Sequence, residues 1–141
     1  MTKLRSVIYR SKALVEPLSN EEQTLMDFVL LENRKLGITG FLVRNGDEYF
    51  QYIEGKERVI HDVVERIRRN PLHSGFTMIA EDSPEERNFP RWYMEYCFLD
   101  EEEAKQHFKT GGSDEDLAAS VLQLMKKKAA KRGEVGFRCL K

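Results

Sequence analysis

Cysteine is nearly absent from this chain: Cys97 and Cys139 are the only two in 141 residues. Two cysteines build no disulfide framework, and neither they nor the histidines stand at metal-ligand spacing, so no metal is expected. A reducing cytoplasm is the expected setting. Neither sign of charge dominates either, because 23 Lys and Arg against 24 Asp and Glu leave a formal net charge of −1. The basic excess that accompanies nucleic-acid binding is missing, and direct nucleic-acid contact is not expected. No apolar run approaches membrane-spanning length, and Met1-Thr2-Lys3-Leu4-Arg5 lacks the hydrophobic region of a secretory signal. A Gly-rich phosphate loop, a nucleophile-and-base pair, internal repeats and low-complexity segments are all missing. With no catalytic constellation, the chain is expected not to be an enzyme.

What is present is a balanced globular composition, 40% hydrophobic and 33% charged. It suits one domain with a core of its own. Leu4 to Tyr9 is short and rich in β-formers and predicts a strand. Ser19-Asn20-Glu21-Glu22 is a capping box, with Ser19 as N-cap and Glu22 at N3, and it opens a helix that Gly37 closes. The inward stripe of that helix is Leu25, Met26, Val29, Asn33 and Leu36. Ile38 to Arg44 predicts a second strand. Asn45-Gly46 signals a type I′ hairpin into a third strand at Glu48 to Glu54.

Glu57 to Arg69 predicts a second amphipathic helix burying Val59, Ile60, Val63, Val64 and Ile67, ended by Asn70-Pro71. Phe76 to Ala80 and Trp92 to Phe98 predict strands four and five. The order βαββαββ implies an α+β, ferredoxin-like sandwich: a five-stranded mixed sheet with two helices on one face. From residue 99 onward the chain is expected to add a helical extension, too small to fold alone. Its helix carries Leu117, Val121, Leu122, Leu124 and Met125, a stripe that should cover the open sheet face or a partner chain. A homodimer or higher homo-oligomer is expected on that ground. The basic stretch Lys126-Lys127-Lys128 with Lys131-Arg132 reads as a solvated helix end.

Three polar side chains stand where a plain core would place aliphatic ones. Gln51 lies in Phe50-Gln51-Tyr52-Ile53-Glu54-Gly55, on one strand face with Tyr49 and Ile53. Tyr9 shares a face with Val7, and Asn33 sits on the apolar stripe of the first helix. A buried amide left without partners costs about 1–3 kcal/mol. Taken singly, each has an ordinary structural reading, as a core aromatic, a local cap or a bonded amide. Converging between helices and sheet, they predict a cleft for a flat, largely apolar ligand with a few hydrogen-bonding edge atoms.

The chain resembles the BLUF family of flavin-based blue-light sensors. The segments that carry the resemblance are Tyr9-Arg10-Ser11, Asn33 with Gly37-Ile38-Thr39-Gly40, Phe50 to Gly55, His73-Ser74 and Arg87-Asn88-Phe89-Pro90-Arg91-Trp92-Tyr93-Met94. The resemblance implies a photosensory domain over residues 1–98, with 99–141 as its extension. It implies FAD, with FMN as the alternative, held noncovalently between the helices by Tyr9, Leu25, Asn33, Gln51, Arg66, Ile67, Asn70 and His73. Tyr9, Gln51, Trp92 and Met94 would form the photochemical set. Light would draw an electron and a proton from Tyr9 with Gln51 as relay, leaving Gln51 rotated or tautomerised. The signal would pass to an unidentified downstream protein. An interaction module with structural or no flavin is the alternative. The chain departs from the family where an Asp-x-Arg-His run is common and Asn70-Pro71-Leu72-His73 stands instead, and at Glu32. Arg66 and Arg69 are the remaining candidates for a diphosphate.

Overall fold

The computed structural model describes residues 3–90, 93–107 and 112–135. Its elements run β1 (Leu4–Ala13), α1 (Asn20–Leu36), β2 (Thr39–Asn45), β3 (Glu48–Lys56), α2 (Glu57–Arg68), β4 (His73–Asp82), β5 (Glu95–Phe98), α3 (Glu101–His107) and α4 (Asp114–Val135). The sheet order is β4-β1-β3-β2-β5. The first four of those strands pair antiparallel and β5 joins β2 in parallel, which makes the sheet mixed and its plan ferredoxin-like.

Local chemistry explains the boundaries. Ser19 Oγ accepts from the Glu22 N–H at 3.2 Å and opens α1, and Gly37 closes it in the left-handed region at φ 69°. The capping box is incomplete in its second half. Glu22 turns its carboxylate to the Leu18 N–H at 2.7 Å, instead of to Ser19, and runs on into the interior. The hairpin is shifted by one residue from the expected Asn45-Gly46 turn. Asn45 pairs with Glu48, so the two-residue loop is Gly46-Asp47. Gly46 alone among them has positive φ, at 62°, which is the pattern of a type II′ turn with glycine first.

Strands β1, β4 and β5 differ most from expectation. β1 extends to Ala13 and β4 spans His73–Asp82, because Lys12 and Ala13 find partners in Ser74 and His73. Their register slips between Ile8 and Tyr9 and again between Arg10 and Lys12, local irregularities of the kind that re-aim side chains beside functional sites. β5 begins at Glu95, and Trp92 lies outside the described residues. At Gly40 the backbones of β2 and β3 approach so closely that a Cβ would overlap the Tyr52 carbonyl.

Alternation along the strands splits the core in two. Val7, Leu42, Tyr49 and Ile53 face the α1/α2 layer with Met26, Ile60, Val63, Val64 and Met94. Ile8, Phe41, Val43, Phe50 and Tyr52 face the other way, where Val121, Leu124 and Met125 of α4 cover them. Leu117 and Leu122 pack against the same cluster. The apolar stripe of α4 is therefore spent on its own sheet, and the expected oligomer loses that surface as its argument. Lys128 pairs with Glu103, tying α3 to α4, so the basic stretch is partly used inside the fold. Among the described residues no helix is long and apolar enough to cross a membrane.

Candidate functional site

Between α1 and α2, above the strands β1, β3 and β2, lies a cavity of about 200 Å³. Leu25, Met26, Val29 and Leu36 of α1, Leu42 and Ile53 of the sheet, and Val63 and Ile67 of α2 make its walls aliphatic. Tyr9, Asn33 and Gln51 supply polar groups from three different elements. Arg66, Asn70 and His73 stand on the same lining. The structure thus brings together all eight residues expected to hold a cofactor. Arg69 is exposed and off the lining, because it follows the last turn of α2 and points to solvent. A flat heteroaromatic ring fits this chemistry, with aliphatic side chains for its faces and carboxamides for its edge.

Tyr9 and Gln51 are directly opposed in the antiparallel β1/β3 ladder, which places their side chains side by side on the slot face. The Tyr9 hydroxyl donates to Gln51 Oε1. The other end of the carboxamide, Nε2, donates to Met94 Sδ at 3.3 Å. Gln51 is 5% exposed, and each end of its amide has a partner. Tyr9 stacks on Phe76 with ring centroids 4.7 Å apart, and His73 meets its edge. Burial pushes the Tyr9 phenol well above its ordinary range, with Tyr49 adding to the effect, so Tyr9 holds its proton and remains a donor.

Asn33 is also buried, and its Nδ2 donates to the Tyr93 carbonyl at 2.8 Å. One amide hydrogen and the carbonyl oxygen of that carboxamide remain available for a ligand edge. His73 is a brace. Its Nε2 donates to the Ile67 carbonyl at 2.6 Å, since a carbonyl can only accept, and its Nδ1 accepts from the Ser11 hydroxyl at 2.7 Å. Asn70 Oδ1 accepts from the Leu72 N–H at 2.9 Å and shapes the turn after α2. At the mouth, Arg66 on α2 faces Glu32 on α1 at 3.8 Å.

Two of the three carboxylates buried among the described residues, Glu54 and Glu22, escape a reading by hydrophobic period. Glu54 accepts from Thr39 Oγ1, the Tyr52 hydroxyl and the Asn88 and Phe89 N–H groups, at 2.7–2.9 Å. Arg87 adds bonds to the Gly37 carbonyl and to Thr39. These sequence segments therefore meet to anchor the chain leading into Met94, away from the cavity. Glu22 pairs with Arg44 at 2.5 Å, and both are almost wholly buried, at 1% and 0% exposed. Burial alone would raise the Glu22 carboxyl, but bonds from Tyr49, the Leu18 N–H, Arg44 and Tyr96 outweigh it and hold the group below its usual range. The capping pattern was the only sequence signal at Glu22, and nothing marked Arg44 as its partner.

A family model described as BLUF, sensors of blue-light using FAD, matches residues 4–95. The alpha subunit of a photoactivated adenylate cyclase from Euglena gracilis is 28% identical over 102 residues, covering 70% of this chain and 10% of the relative. The chain thus spans about a tenth of that relative's length. Among solved structures, BlrB, a BLUF protein in its dark state, superposes with TM-score 0.77 at 23% identity, covering 91% of this chain and 98% of that one. BlsA in its photo-activated state gives TM-score 0.72 at 22% identity, covering 87% and 94%.

Proposed function

The chain belongs to the BLUF family, sensors of blue light using FAD, and from that premise we propose that Tyr9, Gln51 and Met94 form its light-driven switch. The observation that carries the proposal is the continuous line Tyr9 hydroxyl, Gln51 carboxamide, Met94 sulfur on one side of the slot. A bound flavin supplies absorption of blue light and, once excited, a one-electron acceptor. Of the two tyrosines on the slot, Tyr9 is the one whose proton already lies on a hydrogen bond to Gln51, whereas Tyr49 donates to Glu22. A carboxamide suits the next step, because its two ends have nearly equal size and opposite hydrogen-bonding character. If Gln51 turns over, Oε1 faces the Met94 sulfur, two acceptors meet, and that contact is lost. The rearrangement therefore reaches the segment entering β5 without any covalent change to the protein.

Leu25, Asn33, Arg66, Ile67, Asn70 and His73 complete the cofactor site in this reading, with FAD as its ligand and FMN as the alternative where Asn70 to Leu72 replace charged groups. Residues 1–98 form the sensory unit and 99–141 its cap. The function is signalling to a separate protein, with no catalysis by this chain. The test is a difference spectrum of the purified, flavin-loaded protein. A reversible light-induced red shift is expected, abolished in Tyr9→Phe with flavin still bound. Protein that binds flavin and shows no shift would leave an interaction module with a structural cofactor as the better account.

A further inference from the structure

β5 is a four-residue edge strand held to β2 by parallel pairing alone. Parallel pairs are slightly the weaker kind, and so short a strand depends on side-chain anchors for its position. Alternation places Met94 and Tyr96 toward the same layer: Met94 lies in the slot-side core and Tyr96 packs against it. They meet different polar groups there. Met94 receives the Gln51 amide, and the Tyr96 hydroxyl donates to Glu22 Oε1 at 3.0 Å.

Glu22 is a fixed post. Arg44 Nη1 and the Tyr49 hydroxyl each donate to its other oxygen at 2.5 Å, and the Leu18 N–H holds the first. Arg44 is anchored in turn by the carbonyls of Val15 and Gly46, at 2.8 and 2.7 Å. Three elements, α1, β2 and β3, therefore grip one side chain of β5 close to the residue that touches Gln51. Glu22, Arg44 and Tyr96 are not on the cavity wall, whereas Tyr49 is, so the cluster touches the cavity through that one ring.

We propose that the Glu22–Arg44–Tyr49 cluster is a docking post for Tyr96, and that Tyr96 is a positioning residue setting how firmly Met94 holds the Gln51 amide. The geometry rests on these contacts, and its consequence for light rests on the photoreceptor reading above. When Gln51 turns over, Met94 has to move away from the new acceptor. The segment moves against the Tyr96–Glu22 bond as well as the Asn33–Tyr93 bond, so the Tyr96 bond favours the dark arrangement and speeds the return to it.

Tyr96→Phe in the full, flavin-loaded chain removes one hydroxyl and leaves Glu22 three donors, so the fold is kept. In darkness, the ¹³C-methyl resonance of Met94 is expected to shift and broaden while those of Met26, Met78 and Met125 stay in place. After blue light, recovery is expected to slow on the order of tenfold, the scale of one hydrogen bond to a charged group, with the red shift undiminished. A Met94 methyl unmoved by the substitution, or a recovery rate unchanged beside a moved methyl, overturns the proposal even if the melting temperature falls. Failure of the wild type to show any red shift would sink the photoreceptor reading, and the methyl spectrum would then decide the docking post alone.

Discussion

The two faces of the sheet carry the same kinds of strand and were finished differently. Toward α4, the core is Ile8, Phe41, Val43, Phe50, Tyr52, Val121, Leu124 and Met125, apolar and closed. Toward α1 and α2, the same strands present Tyr9 and Gln51 beside a cavity of about 200 Å³. β3 shows the contrast within single-residue steps, since Phe50 and Tyr52 pack one side and Gln51 looks into the other. Filling a face stabilises the fold. Leaving a face open gives up that packing and makes a place where hydrogen bonds can be rearranged.

The largest expected effect breaks the contrast at its centre. Gln51→Leu makes the slot face aliphatic like the other, and the light-induced red shift should disappear entirely while flavin absorbance remains with the purified protein. A shift persisting in that variant would remove Gln51 from the mechanism. On the closed face, Leu124→Ala should cost about 2–5 kcal/mol in chemical denaturation, because a buried leucine leaves a cavity behind. The same variant should keep the wild-type flavin spectrum, and a spectral change would show that the two faces are less separate than their side chains suggest.

The last expected effect is on pH. Burial raises the phenols of Tyr9, Tyr49 and Tyr96 on the slot side and Tyr52 on the other. A raised folded-state pKa contributes stability that is whole below the unfolded value, about 10 for tyrosine, and is lost as pH climbs above it. Stability should hold to about pH 10 and then fall by about 1.4 kcal/mol per unit for each phenol that stays protonated in the fold. Urea titrations between pH 8 and 11 measure this, and a flat profile would contradict the burial of these hydroxyls.

Much of the site was legible because polar residues break a strong period. Gln51, Tyr9 and Asn33 each interrupt an apolar face, and all three reach the one cavity. Helix α1 was legible at both ends from Ser19 and Gly37. The hairpin turn type was not legible, since Asn45-Gly46 and Gly46-Asp47 are both good turn pairs and strand register chose between them. The full lengths of β1 and β4 were not legible because each lengthens only by pairing with the other. Trp92, one of the expected photochemical set, falls outside the described residues.

By itself the sequence determined the order of elements, the α+β class and the residues that do not belong in a plain core, because these follow from local period, caps and side-chain chemistry. Only the tertiary structure decided which partners they take. Glu22 is a helix-capping residue in the sequence and the centre of a buried ion pair in the fold, and the stripe of α4 could have met another chain but meets its own sheet. The reason is distance along the chain. Arg44 lies 22 residues from Glu22, Tyr96 lies 74 away, and no local pattern encodes a hydrogen bond that forms only when separate elements pack together.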